Sequence, residues 1–347
     1  MQANDLSGDP AASGGRLLVR GREAVDTPLR EAVARMPSPA RLWTGFHFGW
    51  WDAEGEARTA RQGKALRPAL TLGCAEAAGG TASAAAAAGT AVELVHNFSL
   101  VHDDVIDGDR LRRGRPTLWA AFGVPAALLA GDAMLTLAYQ ALAAAEGPHK
   151  NDALPLLCDS VQELIAGQAA DIALEDRLET TLHEYTAMAS AKTGSLLGAA
   201  CAVGALSAGC DPKRAAHFTR FGRHLGLAFQ ITDDMLGMFG DPQATGKPVG
   251  GDVARRKKTY PVLAALTSGH PAGQELTELY AQTAPLTAEQ VVRAGTLVEH
   301  AGGKDLAQER ARRELEQTLT SLAAADPLRA PHRELTALAH LMTHRSV

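Results

Sequence analysis

Residues 91–107 read AVELVHNFSLVHDDVID. The apolar residues recur at spacings of three and four, as on the buried face of a helix, and three aspartates lie near the end. The stretch therefore predicts a buried helix with an acidic C-terminal end. Similar Ala-rich patterns, interrupted by Gly or Pro, predict helices near the C-terminus and at 24–36, 66–78, 84–106, 125–145, 150–175, 179–203, 211–240 and 287–302. No repeat and no β-hairpin signal stands out, so we expect an all-α, single-domain helical bundle.

Composition limits the function classes. The chain has 347 residues and a net charge of −5, which gives no reason to expect a nucleic-acid partner. Four cysteines without C-x-x-C spacing read as reduced core thiols in the cytoplasm. We find no signal-peptide pattern and expect no membrane span. Residues 1–15, rich in Gly, Ala, Ser and Asp, predict a disordered tail that either solubilises or docks, and residues 16–347 predict one domain.

The acidic end of the first stretch needs an explanation. Asp103 and Asp107 stand four residues apart and leave the same helix face, with Asp104 between them. Repulsion between them and the helix dipole together cost about 1 kcal/mol or more. Stability therefore does not explain these residues, whereas a bound cation would. Hard oxygen ligands suit Mg²⁺, which takes one or two carboxylates and completes its shell with water and phosphate oxygens. The alternative is a solvated, charged helix end.

A second acidic pair has the same setting. Residues 229–241 read FQITDDMLGMFGD, so Asp233 and Asp234 also follow an apolar helical run. Two acidic ends on two helices of one bundle would face each other across a cavity. Gln168 and Asp171, three residues apart, share a helix face and add a third carboxylate.

Basic residues accompany these carboxylates. Four arginines follow the first acidic end, and six further cations lie near Gly or Pro, where loops are expected: Arg110, Arg112, Arg113 and Arg115, then Lys64, Arg67, Lys192, Lys247, Lys257 and Lys258. Each one alone is an ordinary surface charge. Together with the carboxylates they predict two diphosphate ligands, one bridged by metal and one held directly by Lys and Arg.

Nine motifs occur in the order found in one family. They are GKALRP, VELVHNFSLVHDDVID, LRRGRPT, GD at 131–132, AGQAAD, KTGSL, FQITDD, TGKPVGGD and KKTYP. From about residue 60 to 265, and to the end of the chain, the sequence resembles trans-type isoprenyl diphosphate synthases of the polyprenyl synthetase family. The resemblance implies an isoprenoid-synthase bundle with a central apolar cavity, usually a homodimer. It also implies Mg²⁺-dependent head-to-tail condensation of isopentenyl diphosphate with an allylic diphosphate, whose departing diphosphate takes the released proton.

The resemblance also assigns site residues. The metal ligands it implies are Asp103, Asp107 and Asp233, and the catalytic Asp104 and Asp234 lie beside them. The residues implied for isopentenyl diphosphate are Lys64, Arg67, His96 and Arg113. The residues implied for the allylic diphosphate are Arg112, Lys192 and Lys257, with Lys247 close by. Thr193 and Gln230 match residues beside the developing carbocation. For His96 the alternative is a core histidine bonded to a backbone carbonyl.

The second aspartate motif departs from the family pattern. It reads Asp233-Asp234-Met235-Leu236-Gly237, so the carboxylate one turn after Asp233 is missing, and Asp241 lies a further turn away. This departure puts the coordination of one metal in question, but we expect activity to survive because Asp233 is the direct ligand. Ala65 and Arg256 also differ from common family residues without removing a phosphate ligand.

Product length depends on the residues before the first motif. Phe98 lies five residues before Asp103, about 7.5 Å along the helix, and the small Ser99 follows it. In the family, such an aromatic without an insertion in the motif resembles geranylgeranyl (C20) synthases, and with the insertion it resembles bacterial farnesyl (C15) enzymes. This chain has no insertion, so C20 is favoured and C15 is the alternative. Phe98 could instead be only a core aromatic, with the floor of the pocket set elsewhere, including by a partner subunit.

Two other functions compete with the synthase. A class I terpene cyclase would pair its aspartates with an N-S-E-type motif, which we do not find, and would not need Lys64, Arg67 and Arg113. A noncatalytic partner or cargo subunit is suggested by Gly237 and by the tail. Turnover by the isolated chain would separate these alternatives.

Overall fold

The computed structural model describes residues 10–58, 63–175, 177, 179–240 and 250–344. It confirms the all-α class. In chain order the elements are α1 Pro10–Ala34, α2 Ala40–Phe48, α3 Leu66–Ala77, α4 Ala82–Ile106, β1 Leu111–Arg112, β2 Arg115–Pro116, α5 Leu118–Phe122, α6 Val124–Ala143, α7 Lys150–Glu175, α8 Leu182–Ala189, a π-helical turn Ser190–Gly194, α9 Ser195–Ser207, α10 Pro212–Phe239, α11 Gly251–Ala254, α12 Tyr260–Leu266, α13 Pro271–Tyr280, α14 Ala288–His300, α15 Gly303–Ala324 and α16 Arg329–Thr343.

The first helix begins earlier than predicted. Helix α1 starts at Pro10, so residues 10–15 are helical and the predicted end of the tail at residue 15 is wrong. The apolar face extends back to Leu17, which is fully buried, while Gly14 and Gly15 interrupt the pattern in the sequence. Residues 1–9 of the predicted tail lie outside the described residues.

A short hairpin follows α4. Strands β1 and β2 pair antiparallel, with Arg112 opposite Arg115. Arg113 and Gly114 connect the strands, and both have positive φ, 54° and 75°, as a type I′ turn requires. The hairpin was not predicted, because Arg occupies the turn position where Asn or Asp is usual. The turn places Arg113 at the hairpin tip.

The chain divides into two compact units within the predicted domain. Unit 1 comprises residues 1–159, 199–219 and 325–335, and unit 2 comprises residues 160–198, 220–324 and 336–347. In unit 1, α4 packs along α6, and α3 packs against both α1 and α4. In unit 2, side chains from α8, α10 and α12 form one core, exemplified by Met188, Ile231 and Leu263. This packing fixes the ends of α4 and α10, each of which carries an acidic pair.

Two helices, α4 and α6, are long and apolar enough to cross a membrane by length and composition alone. Length and composition alone therefore do not decide our expectation of no membrane span. Core helices pass the same test, and 61% of the apolar window of α4 is buried inside the protein. All four cysteines are free, and Cys74, Cys201 and Cys210 are buried as predicted for core thiols.

Candidate active site

The three aspartates at the end of α4 differ in exposure. Asp103 is half-buried and Asp107 is exposed, whereas Asp104 is only 1% exposed. Both Nε and Nη2 of Arg112 donate to Asp104 Oδ1, at 2.8 and 2.7 Å. Burial raises the pKa of Asp104, and the bonds from Arg112 lower it. Asp104 therefore fastens the hairpin to the helix, which leaves Asp103 and Asp107 as the candidate metal ligands of this turn.

A pocket in unit 1 gathers arginines from the hairpin and from α1. We name it the arginine pocket; its basic lining residues are Arg22, Arg112, Arg113 and Arg115. Its apolar wall includes Leu29, Trp50 and Leu100. A pocket with several cations on one side and apolar groups on the other suits a small diphosphate with a hydrocarbon tail.

Two histidines beside this pocket are neutral. Burial, together with nearby arginines, lowers the pKa of His47 to about 3 and that of His96 well below its usual value. Asn97 Nδ2 donates to Glu93 Oε1, so Asn97 Oδ1 faces His47 Nε2 at 3.0 Å as an acceptor. His47 Nε2 therefore carries the ring proton. His96 would contact a phosphate as a neutral hydrogen-bonding group rather than as a cation.

Arg67 has unused hydrogen-bonding capacity. Its Nε atom is buried and has no partner among the described residues, and the same holds for Glu93 Oε2. Burial lowers the pKa of Arg67 to about 10, while Glu93 opposes the shift, so the guanidinium stays charged at neutral pH. A buried, charged donor without a partner is costly in the ligand-free protein, and a bound anion would remove that cost.

The loop before α3 carries Lys64, and the preceding residue, Gly63, lies close to Arg22 and Arg113. Arg22 Nη2 donates to the Gly63 carbonyl at 2.7 Å. A Cβ atom on Gly63 would lie 2.8 Å from Arg113 Nη1, so the Arg113 guanidinium packs closely against this glycine. Lys64 itself is exposed. Sequence reasoning missed Arg22, since it lies in none of the quoted motifs, and it gave no role to Gly63, the first residue of GKALRP.

A second pocket, in unit 2, gathers the lysines. We name it the lysine pocket; its polar lining residues include Asp171, Lys192, Thr193, Gln230, Asp234 and Lys257. Lys192 Nζ lies 2.6 Å and Lys257 Nζ 3.7 Å from Asp171 Oδ2, so one carboxylate holds two ammonium groups together. The predicted third carboxylate, Asp171, thus pairs with lysines. Gln168 is buried, and its Oε1 atom has no partner among the described residues.

A break in the helix presents Lys192 and Thr193. The π-helical turn Ser190–Gly194 interrupts what the sequence predicted as one helix over residues 179–203. A Cβ atom on Gly167 of α7 would lie 2.3 Å from Lys192 N, so the glycine allows α7 to approach this turn. Single π turns inside helices are frequent at functional sites because the extra residue redirects neighbouring side chains.

In the second acidic pair, as in the first, one aspartate faces outward and the other is buried. Asp233 is exposed, whereas Asp234 is buried and accepts hydrogen bonds from Tyr185, Gln230 and the Tyr260 amide. Burial raises the pKa of Asp234 to about 6 despite these three donors. Asp233 is therefore the candidate metal ligand of this pair, as the resemblance implied.

Residues 50–295 match the family model described as polyprenyl synthetase. The chain belongs to this family. It is 43% identical to a geranylgeranyl diphosphate synthase of Mycobacterium tuberculosis, over 99% of this chain and 98% of that protein. It is 42% identical to a (2E,6E)-farnesyl diphosphate synthase of Mycobacterium bovis, over 93% of this chain and 91% of that protein. A crystal structure of a polyprenyl synthetase from Streptomyces coelicolor A3(2) is similar, with a TM-score of 0.91, 39% identity and coverage of 94% of this chain and 98% of that one.

Family membership makes this chain a prenyltransferase with the isoprenoid-synthase fold. Enzymes of the polyprenyl synthetase family depend on a divalent metal. Within the described residues, no cluster of three or more His, Cys, Asp or Glu side chains encloses a metal site. The carboxylates of Asp103, Asp107 and Asp233 still fit Mg²⁺, because that ion takes few protein ligands and completes its shell with water and substrate phosphates.

Several predicted or neighbouring residues have other positions or roles. Lys258 Nζ donates to the Leu174 and Glu175 carbonyls at the end of α7, so it caps a helix. Arg110 lies over the Trp119 ring, 5.1 Å from its centroid. A Cβ atom on Gly237 would lie 2.9 Å from Asp252 Oδ2, so a carboxylate from outside the motif lies next to the residue that lacks one. Asp241 and Lys247 lie outside the described residues.

Proposed function

We propose that this polyprenyl synthetase condenses isopentenyl diphosphate with an allylic diphosphate to give all-trans geranylgeranyl (C20) diphosphate, with Mg²⁺ as cofactor. The observation that carries this proposal is the pair of cationic pockets, each beside an acidic helix end with an outward carboxylate. A terpene cyclase uses a single diphosphate and has no need of the arginine pocket. The noncatalytic alternative does not explain why Arg67 Nε is buried without a partner among the described residues.

Each pocket has a distinct task in the proposed reaction. Mg²⁺ would be held by Asp103 and Asp107 at the acidic end in unit 1 and by Asp233 in unit 2, and it would supply charge neutralisation for the allylic diphosphate. Lys192 and Lys257 of the lysine pocket bind this diphosphate as its C–O bond breaks and the electron pair leaves with oxygen. Isopentenyl diphosphate is held by Lys64, Arg67, His96 and Arg113. The isopentenyl double bond then attacks the allylic carbon, and the released diphosphate takes the proton lost from isopentenyl C2.

Product analysis tests the proposal directly. The purified chain is incubated with Mg²⁺, labelled isopentenyl diphosphate and each allylic primer in turn, and dephosphorylated products are separated by chromatography. We expect geranylgeraniol, and a chelator should abolish turnover. Farnesol as the end product would support the C15 alternative, a hydrocarbon would support the cyclase, and absence of turnover would support a noncatalytic subunit.

The C20 assignment rests on Phe98. The curated relatives named for C20 and C15 products are almost equally similar, so identity does not decide between them. Phe98 is 6% exposed, and its ring packs edge-on against His102 at 4.9 Å. His102 is itself held in place, because its Nε2 atom lies 3.2 Å from the Leu128 carbonyl oxygen. We infer that this bracing makes Phe98 a rigid floor for a growing chain.

Phe98→Ala is expected to lengthen the product by at least one C5 unit, since it removes a ring that His102 holds in place. Truncating a buried Phe also destabilises the fold by about 3–5 kcal/mol, so thermal unfolding must be measured in parallel. The control is Ile106→Ala on the same helix, at a side chain that is 49% exposed. An unchanged product distribution from a folded Phe98→Ala enzyme would reject the floor assignment.

We also propose that the chain is a cytoplasmic homodimer. Helix α6 exposes three neighbouring apolar side chains, Val124, Leu128 and Leu129, which are 41%, 42% and 58% exposed. Exposed apolar patches of this kind mark association surfaces. We further propose that the N-terminal tail acts as a docking peptide.

Leu129→Glu is expected to weaken self-association at least tenfold, because dimerisation would bury a charge among these apolar side chains. Light scattering coupled to size-exclusion chromatography measures the mass over a dilution series. Val292→Glu changes an equally apolar residue, 73% exposed on α14, and should leave the mass unaltered. A monomeric wild-type chain, or a Leu129→Glu dimer of unchanged stability, would contradict this surface.

A further inference from the structure

Both carboxylate oxygen atoms of Asp234 accept hydrogen bonds from donors in its own unit. Its Oδ1 atom accepts from Gln230 Nε2 at 3.1 Å. Its Oδ2 atom accepts from the Tyr260 amide at 2.9 Å and from the Tyr185 hydroxyl. The side chain is 7% exposed. Both oxygen atoms are thus occupied by the protein itself, which leaves no clear role for Asp234 as a metal ligand.

The bond to Asp234 fixes which way the Gln230 amide points. An ionised carboxylate only accepts hydrogen bonds, so the NH₂ end of Gln230 must face Asp234. Gln230 Oε1 then faces the other way, where it accepts from Thr193 Oγ1 at 2.9 Å. Because the Thr193 hydroxyl donates its proton to Gln230, its lone pairs remain for another contact. Thr193, Gln230 and Asp234 all line the lysine pocket.

We infer that Asp234 is a positioning residue that sets the orientation of the Gln230 amide and, through it, of the Thr193 hydroxyl, so that oxygen atoms face the allylic carbocation. This inference rests on the proposed function. The amide dipole decides its importance, because Oε1 carries partial negative charge and the NH₂ group partial positive charge. A flipped Gln230 would direct positive charge at the place where the substrate itself becomes positive.

Asp104 provides an independent parallel in unit 1. There too the second aspartate of the pair turns inward and binds a residue implied in catalysis, Arg112. In each pair the outward carboxylate is available for metal, and the inward one orders a neighbouring functional side chain. The buried second aspartate therefore has a distinct task in both motifs.

The test begins with Asp234→Asn, which keeps the shape. Asparagine has one acceptor oxygen and cannot accept both from Gln230 and from the Tyr185–Tyr260 side, so Gln230 is expected to turn its amide. We expect kcat to fall about 10- to 100-fold, somewhat less than the loss of one direct oxyanion donor, with KM for both diphosphates within about twofold of wild type. Asp305→Asn, at an exposed position in the first turn of α15, is the matched control and should leave kcat unchanged.

A binding measurement distinguishes positioning from a general structural role. Calorimetry with Mg²⁺ compares an ammonium analogue of the allylic diphosphate, which mimics the carbocation, with its neutral carbon counterpart. We expect the preference for the ammonium analogue to fall in Asp234→Asn and in Gln230→Met. In the double variant the loss should equal that of Gln230→Met alone. Equal weakening of both analogues, or an additive loss, would overturn the inference.

Asp234→Glu provides a second route if the asparagine variant does not fold. It keeps the negative charge but moves the carboxylate by one methylene away from its three donors. The preference should therefore fall, whereas its retention would show that only charge matters and would overturn positioning. A wild-type chain without prenyl product would instead refute the proposed function. An active wild type with unchanged analogue preference in the variants would refute this inference alone.

Discussion

Asp103→Asn is expected to lower kcat roughly a thousandfold while leaving the fold intact. Metal-assisted neutralisation of a leaving diphosphate contributes several kcal/mol to the transition state, and each 1.36 kcal/mol is tenfold in rate. The loss should be accompanied by a higher Mg²⁺ concentration at half-maximal rate. Asp103 lies in the last turn of α4, and Asp107, one turn later, is the C-cap residue of the helix. Removing one charge there relieves repulsion worth up to about 1 kcal/mol, so stability without metal should stay equal or rise.

Opposite changes in activity and stability would identify Asp103 as a functional residue. Steady-state kinetics over a Mg²⁺ series and thermal unfolding in chelator measure the two effects. Asp152→Asn, at an exposed aspartate in the first turn of α7, is the control for loss of a carboxylate and should leave kcat and the Mg²⁺ dependence unchanged. If Asp103→Asn kept activity within tenfold of wild type with the same Mg²⁺ dependence, the first motif would not be the metal site.

The chemistry of the site was more predictable than its shape. The spacing of Asp103 and Asp107 places both on one face of any helix, and the cations near them indicated phosphate binding only in combination with these carboxylates. The direction of Asp104 and Asp234 was not predictable, because their partners decide it. Tyr185 lies 49 residues from Asp234 in sequence, and no local pattern connects the two.

Two backbone features were missed for different reasons. The π-helical turn at Ser190–Gly194 has a composition that also suits a continuous α-helix, so periodicity gave no sign of it. The hairpin was missed because Arg113 occupies a left-handed position that ordinarily takes Asn, Asp or Gly. Helices α1 and α2 contribute Arg22 and His47 from outside the motifs, and position alone brings them to the arginine pocket.

The strained turn makes Arg113→Asn a sharp test of the arginine pocket. Arg113 has a φ of 54°, a conformation that costs most residues about 1–2 kcal/mol and that Asn tolerates best after Gly. Asn-Gly is also the preferred sequence for a type I′ turn. The variant should therefore stabilise the hairpin. If the arginine is retained for phosphate binding, the same change should harm catalysis.

We expect KM for isopentenyl diphosphate to rise about 10- to 100-fold, since a charge-assisted hydrogen bond contributes about 1.5–3 kcal/mol. KM for the allylic diphosphate should stay within about threefold, because Lys192 and Lys257 bind it in the lysine pocket. Kinetics with each substrate varied separately, together with thermal unfolding, test both effects. Arg110→Gln, which removes the guanidinium over the Trp119 ring, is the control for loss of charge beside the hairpin. An equal rise in both KM values would mean that Arg113 acts through the general field of the site, whereas no rise would remove it from the isopentenyl diphosphate site.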